Sequence, residues 1–223
     1  MKIEETDNCY IVRGFFSDDV IAGYTKPGFS FKLPQAVGYI QKDLDADISS
    51  FAFMEQVHGR NVEVISKGGL YTCDGVVTDT VGLMLCVKTA DCMPILCHDV
   101  STGRVGAIHM GWRSAAAGII NNIPVDFEKS KFFLGVGLRK CCYAVGANFK
   151  DNKEFNGCIT ELPGNSYFDV IGFAYDALLR KNILSKKNIF DLNKCSLHDD
   201  KKFPSYRRDK TEIRTISFIL KIK

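Results

Sequence analysis

The clearest pattern of strands in the sequence is Gly82-Leu-Met-Leu-Cys-Val-Lys-Thr-Ala-Asp-Cys-Met-Pro-Ile-Leu-Cys-His-Asp99. Its apolar runs indicate two strands joined by a sharp turn at Thr89 to Pro94. After a polar turn, Val105-Gly-Ala-Ile-His-Met-Gly-Trp-Arg-Ser114 predicts a third strand, followed by a helix that begins at Ser114 and runs through Ala115 to Asn122. The sequence therefore places a strand-rich core in the middle of the chain.

The polar residues of this region fall where the apolar strands end. Asp91 and Cys92 interrupt the first pair of strands, and His109 lies where the third strand gives way to the helix. Strand ends commonly hold reactive side chains on a rigid frame. We therefore expect a functional site around these three residues.

The composition is that of an ordinary folded protein. Of the 223 residues, 46% are hydrophobic and 25% are charged, which is typical of a soluble globular chain and excludes a disordered one. No segment resembles a linker, so we predict a single domain over residues 1–223. The formal net charge is +3 and the basic clusters Lys186-Lys187, Lys201-Lys202 and Arg207-Arg208 are short, which argues against a nucleic-acid partner.

The cysteines and the first residues bear on cellular location. The chain has nine cysteines, several inside apolar strand patterns where cysteine acts as a small buried hydrophobe. Residues Met1 to Asp7 lack the apolar run of a secretory signal, and no run approaches the roughly 20 residues that cross a bilayer. We expect a cytoplasmic protein with reduced cysteines and no membrane partner.

A second histidine lies at the end of a predicted strand. Phe51 to His58 predicts a strand, Gly59-Arg-Asn61 a tight turn, and Val62 to Ser66 the returning strand. This pattern places His58 at the end of a hairpin, where an isolated histidine is usually a surface or capping residue.

Taken together, His58, Cys92 and His109 offer a ligand set for a metal. A thiolate and two neutral imidazoles suit zinc or copper. Three protein ligands leave one coordination position open, as in catalytic rather than structural sites. The gaps between the three residues are too long to match a zinc finger, so spacing alone supports the site weakly.

The same residues allow a different chemistry. Cys92 would be a nucleophile, His109 or His58 its base, and Asp91 the group that orients the base, giving acyl transfer or hydrolysis. Both interpretations need a thiolate at an exposed turn, so the sequence does not separate them.

Several motifs occur in the order and context of one known family. They are Gln56-Val-His-Gly59, Asp74-Gly75, Thr89-Ala-Asp-Cys-Met-Pro-Ile-Leu96, His109-Met-Gly-Trp-Arg113, Cys141-Cys-Tyr143 with Val145-Gly146, and Ser205-Tyr-Arg-Arg-Asp209. From about Gly23 onward the chain resembles the YfiH family, also called laccase-domain or polyphenol-oxidase-like proteins. Its members are described as purine nucleoside phosphorylases with adenosine deaminase activity, and a peptidoglycan-editing role is ascribed to bacterial members.

The resemblance implies a set of site residues. By position, the family's metal ligands correspond to His58, Cys92 and His109, with zinc as the cofactor and copper as the alternative, and these would also be the catalytic residues. Substrates would be purine nucleosides and phosphate. Lys26, in Gly23-Tyr-Thr-Lys-Pro-Gly-Phe-Ser30, stands where the family has an arginine that faces the substrate, and it keeps the charge without the bidentate fork. Arg113, four residues after His109, is a second candidate for substrate binding.

The expected fold is a mixed α/β (α+β) arrangement. Strands and helices interleave, but short strands are too frequent for a doubly wound parallel sheet. Helices are predicted at Leu33 to Leu44 and Asp169 to Asn182, and a closing strand at Glu212 to Ile222. The family resemblance implies stacked mixed sheets flanked by helices, in four layers α/β/β/α.

The number of histidines argues against a multicopper oxidase, which the laccase name of the family would suggest. The chain has only His58, His98, His109 and His198, too few for the blue copper and trinuclear sites of a multicopper oxidase. Cys195 and His198 are close in sequence, but one such pair is too small for a second metal site and we interpret it as incidental. Three functions remain open: a mononuclear metal enzyme of nucleosides, a cysteine hydrolase or peptidoglycan-editing factor, and a non-catalytic metal-binding module.

Overall fold

The computed structural model describes residues 1–27, 33–183, 185–199 and 203–223. The described helices are α1 (Leu33–Asp43), α2 (Trp112–Ala116), α3 (Val170–Leu179) and α4 (Tyr206–Asp209). The described strands are β1 (Lys2–Glu5), β2 (Cys9–Arg13), β3 (Val20–Thr25), β4 (Ser50–Met54), β5 (Val62–Val64), β6 (Gly69–Tyr71), β7 (Gly75–Thr78), β8 (Leu83–Thr89), β9 (Met93–Asp99), β10 (Arg104–Met110), β11 (Ser130–Leu134), β12 (Ala144–Val145), β13 (Ile159–Leu162), β14 (Asn165–Phe168), β15 (Ile189–Asp191) and β16 (Thr215–Lys221).

The strands form two large mixed sheets and a small one. The first sheet has the order β1-β2-β3-β16-β8-β4-β6, and the second has the order β15-β11-β9-β10-β7-β5. In the first sheet β16 lies antiparallel to both β3 and β8, whereas β4 runs parallel to β8. In the second sheet β9 and β10 form the predicted hairpin, closed by the turn at Ser101 to Gly103.

The alternation of side chains along the strands produces the layers. On β8, Leu83 and Leu85 face the core between the two sheets, whereas Met84 and Cys86 face the opposite side. Helix α1 covers that outer side of the first sheet through Ala36 and Ile40. All seven residues of β9 are buried, because its sheet is covered on both faces.

Helices also cover the outer face of the second sheet. Ile95 and Ile108 on the sheet pack with Ala115 of α2 and with Ala174 and Leu178 of α3. The layer order is therefore helix, sheet, sheet, helix, which confirms the mixed α+β class and the four-layer α/β/β/α arrangement. The small third sheet, β12-β14-β13, is an addition that the sequence does not predict.

Between β4 and β9 the chain crosses five times from one large sheet to the other, and two of these short connections carry predicted site residues. The first is Ala90 to Cys92, between β8 and β9. The second runs from Glu55 to Asn61, between β4 and β5. The predicted hairpin over residues 51–66 is therefore wrong: β4 pairs with β8 and β6, whereas β5 pairs with β7 in the other sheet. His58 lies in a crossover, not at a hairpin end.

Helix α2 is shorter than predicted and begins earlier. It starts at Trp112 rather than Ser114 and stops at Ala116, because Gly118 adopts a left-handed conformation with φ of 79°. Lys201-Lys202 and the segment from Gly28 to Ser30 lie outside the described residues. Within the described ranges, no helix has the length and apolarity that spanning a membrane requires.

Candidate metal centre and active site

The structure brings His58, Cys92 and His109 together. One ligand atom from each lies within 4.8 Å of those of the other two. Cys92 Sγ is 3.9 Å from His58 Nε2, and the two imidazole rings meet edge to face with centroids 4.8 Å apart. Tetrahedral zinc with Zn–S of about 2.3 Å and Zn–N of about 2.0 Å separates sulfur and nitrogen ligands by about 3.5 Å. The trio is therefore spaced to share one ion.

Each ligand is positioned by the sheets. His109 lies near the end of β10 and pairs with Pro94 of β9, while Cys92 directly precedes β9. His58 reaches them from the crossover between the sheets, where its φ of 60° turns the backbone sharply. A positive φ is uncommon for a non-glycine residue and marks a position that the surroundings hold in place.

Asp74 organises two of the three ligands. Its Oδ1 accepts a hydrogen bond from the backbone N–H of His58 at 2.9 Å, and its Oδ2 accepts one from Gly59 at 2.6 Å. The same Oδ1 is 2.8 Å from Nδ1 of His109. Because a carboxylate only accepts hydrogen bonds, Nδ1 of His109 carries the proton and Nε2 keeps its lone pair for a metal.

The ionisation of Asp74 follows from these contacts. Burial by itself would raise the pKa of the Asp74 carboxyl, but hydrogen bonds from His109, Gly59 and His58 lower that pKa below its usual value. Asp74 is therefore a stable buried anion. The Asp74-Gly75 motif is visible in the sequence, but no local pattern there assigns Asp74 this role.

Gly111 leaves room for the ligands. A Cβ atom on Gly111 would lie 2.9 Å from Cys92 Sγ and 3.2 Å from Cδ2 of His58. The backbone of Gly111, with φ of −87°, is open to any residue, so the constraint is space rather than conformation. Glycine in the Gly111-Trp-Arg113 motif is thus needed for the approach of the sulfur and the imidazole.

The protonation states also favour metal binding. Burial lowers the pKa of His58, and the charge of His109 lowers it further, so His58 is a neutral ligand near pH 7. Burial, reinforced by the charge of Asp91, raises the pKa of the Cys92 thiol to about 12. Such a thiol gives up its proton readily only when a cation stabilises the thiolate.

Asp91 has a different task from the one assigned to it in the hydrolase interpretation. Its Oδ1 accepts a hydrogen bond from Ser196 Oγ at 2.8 Å, and its Oδ2 accepts one from the backbone N–H of Arg207 at 2.7 Å. These bonds tie the crossover to a distant loop and to the start of α4. The carboxylate that orients an imidazole is Asp74.

The three ligands open into a cavity of about 1550 Å³. Its walls include four aromatic and five cationic side chains, which are Trp112, Tyr143, Phe149, Tyr206, Lys88, Arg113, Arg207, Lys210 and Arg214. The aromatic rings suit a flat ligand and the cations suit an anion. The cavity is larger than most small-molecule sites, and it has room for two substrates at once.

The two predicted substrate-binding residues are in different places. Arg113 lines the cavity, and its guanidinium lies 4.4 Å from the centroid of the Trp112 ring. Lys26 is not among the described residues that line the cavity; its Nζ is 2.7 Å from Glu5 Oε1. The structure therefore brings Arg113, but not Lys26, beside the metal ligands.

A second group of ligands lies outside this cavity. Cys141, Cys142, Cys195 and His198 each offer an atom within 4.8 Å of those of the others. From the sequence, Cys195 and His198 form only an incidental pair, because Cys141 and Cys142 belong to a distant part of the chain. The fold supplies these two cysteines and makes the pair a group of four.

Comparison with known proteins agrees with the motifs. A family model described as "Multi-copper polyphenol oxidoreductase laccase" matches residues 34–221. "Purine nucleoside phosphorylase" of Xylella fastidiosa (strain 9a5c) is 30% identical over 71% of this chain and 67% of its own. "Purine nucleoside phosphorylase YfiH" of Escherichia coli (strain K12) is 30% identical over 75% of this chain and 72% of its own.

Two solved structures share the fold. The hypothetical protein YfiH of Bacillus licheniformis superposes with a TM-score of 0.83 at 20% identity, over 97% of both chains. YlmD from Geobacillus stearothermophilus gives a TM-score of 0.83 at 22% identity, over 99% of this chain and 98% of its own. With the matching family model and the motifs around His58, Cys92 and His109, these similarities show that the chain belongs to the YfiH family of laccase-domain proteins.

Proposed function

We propose that this chain is a metal-dependent purine nucleoside phosphorylase that also deaminates adenosine. Its substrates would be adenosine, inosine and, by the same chemistry, methylthioadenosine, with phosphate as co-substrate. The observation that carries the proposal is the cluster of two imidazoles and one thiol opening into a cavity lined by cations and aromatic rings. The names of the relatives from Xylella fastidiosa and Escherichia coli support the same substrate class.

His58, Cys92 and His109 would hold the metal. Their donor set fits zinc, and copper fits it as well. When bound, such an ion supplies Lewis acidity, which acidifies a water molecule or polarises a substrate. Asp74 keeps the lone pair of His109 directed at the shared position, and the three-ligand set leaves one position for a small molecule.

The cations of the cavity would bind phosphate. Lys88 is half-buried, and burial together with the charge of Arg214 lowers the pKa of its ammonium group. Like charges held together in a cavity are relieved by an anion, so Lys88 and Arg214 with Arg113 offer a site for phosphate. Phosphate held there would attack the anomeric carbon of the nucleoside as the bond to the purine nitrogen breaks, and its negative charge would stabilise the oxocarbenium-like transition state while the cations hold the phosphate in place.

The aromatic residues would hold the purine. Tyr206 is 53% exposed and lines the cavity, so its ring is accessible for stacking on a flat base. Trp112 packs edge to face on Phe149, with centroids 5.3 Å apart, which fixes the wall below the metal ligands. Lys26 remains a prediction for substrate binding, because residues 28–32 of the same segment lie outside the described part of the chain.

The structure offers less support for the alternatives. A cysteine hydrolase needs a carboxylate behind its histidine and a readily ionised thiol. Asp74 supplies such a carboxylate behind His109, but burial raises the pKa of the Cys92 thiol to about 12, which argues against a readily ionised nucleophile. A non-catalytic metal module has no use for a large cavity beside an open coordination position.

The test is phosphate-dependent release of free base by the purified, metal-loaded protein. We expect inosine and phosphate to give hypoxanthine and a sugar phosphate, and adenosine to release ammonia. Cys92→Ala and His58→Ala should abolish both reactions. The matched control is Cys158→Ala, which changes a partly buried cysteine outside both ligand clusters and should retain activity.

The assay separates the three functions. Base release that does not depend on phosphate, or full activity in Cys92→Ala, would refute the phosphorylase. Activity lost on thiol alkylation while the metal stays bound would favour the cysteine hydrolase. A protein that binds metal without turning over any nucleoside would favour the non-catalytic module.

A further inference from the structure

The group formed by Cys141, Cys142, Cys195 and His198 lies apart from the substrate cavity. Cys142 Sγ is 3.1 Å from His198 Nδ1, and Cys141 Sγ is 3.4 Å from the same nitrogen. All four ligand atoms lie within 4.8 Å of one another. Tetrahedral zinc places sulfur and nitrogen ligands at about 3.5–3.8 Å from each other, so the four atoms have the spacing of a closed site.

We propose that Cys141, Cys142, Cys195 and His198 bind a second zinc ion, which is structural rather than catalytic. Three thiolates and one imidazole complete a tetrahedral shell without leaving a position for substrate. The set is richer in sulfur than the trio at His58, which has one thiol. The two sites therefore differ in both function and ligand chemistry.

The backbone around the group is already fixed by contacts that do not involve the metal. Cys195 pairs with Gly137 in an isolated bridge, and Ser196 N donates to Gly137 O at 3.0 Å. Arg139 donates to the Asp191 carboxylate at 2.7 Å, which joins the two segments a second time. The ligands therefore come from two segments that the fold holds side by side.

Charged side chains of both signs surround the group. Three thiolates and a divalent ion leave one net negative charge, and the cavity of about 430 Å³ beside the group is lined by Arg139 and Lys140 as well as by Asp169 and Asp199. Nδ1 of His198 faces the sulfur atoms while its Nε2 is 3.7 Å from Asp199 Oδ1. At that distance the carboxylate is too far for a hydrogen bond, so Asp199 contributes negative charge near the ring rather than fixing its orientation.

The proposed second site adjoins residues that shape the substrate cavity and support the first site. Tyr143, which follows Cys142, lines the substrate cavity. Ser196, which follows Cys195, holds the carboxylate of Asp91 next to Cys92. A metal at the second site would therefore fix one wall of the cavity and the support of the first site.

The experiment measures zinc per chain by elemental analysis in reduced, zinc-loaded protein. We expect about two ions in the wild type and about one each in Cys195→Ser, His198→Ala and His58→Ala, because each variant removes a ligand from one site only. Cys158→Ser, the matched control outside both groups, should keep about two. One ion in the wild type, unchanged by Cys195→Ser, would overturn the proposal.

A spectroscopic measurement covers the case in which Cys195→Ser does not fold. In His58→Ala, which leaves the second site intact, zinc-edge X-ray absorption should show about three sulfur neighbours at about 2.3 Å and one nitrogen. A shell of nitrogen and oxygen, or a disulfide among the three cysteines seen by mass spectrometry, would contradict a thiolate site. Because neither readout measures turnover, this proposal stands or falls separately from the phosphorylase.

Discussion

A single carboxylate governs the geometry of the candidate metal centre. Asp74 accepts hydrogen bonds from the backbone of His58 and Gly59 and fixes the ring of His109. No other described residue contacts both histidine ligands in this way. Asp74 thus holds the ring of one histidine and the backbone of the other.

Replacing Asp74 by asparagine should weaken metal binding by about 10–100-fold, because the amide is uncharged and its NH₂ cannot accept a hydrogen bond. Competition with a chromophoric chelator measures this affinity. Asp79→Asn, an exposed aspartate just after β7, is the matched control and should leave the affinity unchanged. Equal affinities in wild type and Asp74→Asn would show that the ligands hold their positions alone.

Gly111→Ala tests space at the same centre. The added methyl would lie 2.9 Å from Cys92 Sγ, so the thiol or the imidazole must move and the metal occupancy should fall by more than about tenfold. Gly38→Ala in α1 has no atom within 4 Å of its new Cβ and should retain metal, with helix stability raised by about 0.5–1 kcal/mol. Elemental analysis measures the metal occupancy of both variants, and thermal unfolding measures the stability of Gly38→Ala.

The strands, turns and helices that depend on the local pattern of apolar residues were predictable from the sequence. The strands through Val87, Ile95 and Ile108 and the turn at Asp91 follow from apolar runs and their breaks, and the structure confirms them. A helix was also predicted over Asp169 to Asn182, and the structure has α3 at Val170–Leu179, with Asp169 as the N-cap that accepts a hydrogen bond from Gly172. His58, Cys92 and His109 were predicted as metal ligands because each follows or ends an apolar run, and the structure brings them together.

The sequence did not predict which distant segments pair with each other in the sheets. The residues around Val62 looked like the return of a hairpin, yet β5 pairs with β7 because its apolar face packs in the other sheet. Cys142 and Cys195 are far apart in the sequence and meet because the bridge at Gly137 and the Arg139–Asp191 ion pair hold their segments side by side. Nothing local in the sequence marks either contact.

The crossover at Asp91 should be sensitive to substitution. Asp91→Ala removes two hydrogen bonds to Ser196 and Arg207 and places alanine at φ of 87°, so we expect a loss of about 2–3 kcal/mol in the free energy of unfolding. Asp91→Asn, which tolerates this conformation, should lose less. Urea unfolding measures both, with exposed Asp45→Ala as a control that should change by less than about 0.5 kcal/mol. Equal losses in Asp91→Ala and Asp45→Ala would show that the carboxylate does not anchor the crossover.

The stability of the whole protein should fall in acid because of His98. This buried histidine of β9 has no hydrogen-bond partner for Nδ1 among the described residues, and burial lowers its pKa below the usual value. As pH falls through about 6.5, the unfolded chain therefore takes up the proton first, and the free energy of unfolding declines.

The comparison is urea unfolding of wild type and His98→Met at pH 7 and pH 5. The wild type should lose more stability than the variant over this range, because methionine carries no titrating group. An identical loss in both proteins would assign the acid sensitivity to other groups, such as His58. Carrying out both titrations with chelator present removes the contribution of proton competition at the metal ligands.

The connections between the two large sheets limit where this chain tolerates insertions. Because His58 and Cys92 both lie in connections that pass from one sheet to the other, inserting a residue in either connection would move one candidate ligand away from the other two. The turn at Ser101 to Gly103 closes the opposite end of the β9–β10 hairpin and carries no ligand. A longer loop at that far end should therefore leave the candidate site intact, whereas a longer passage from Ala90 to Cys92 should disrupt it.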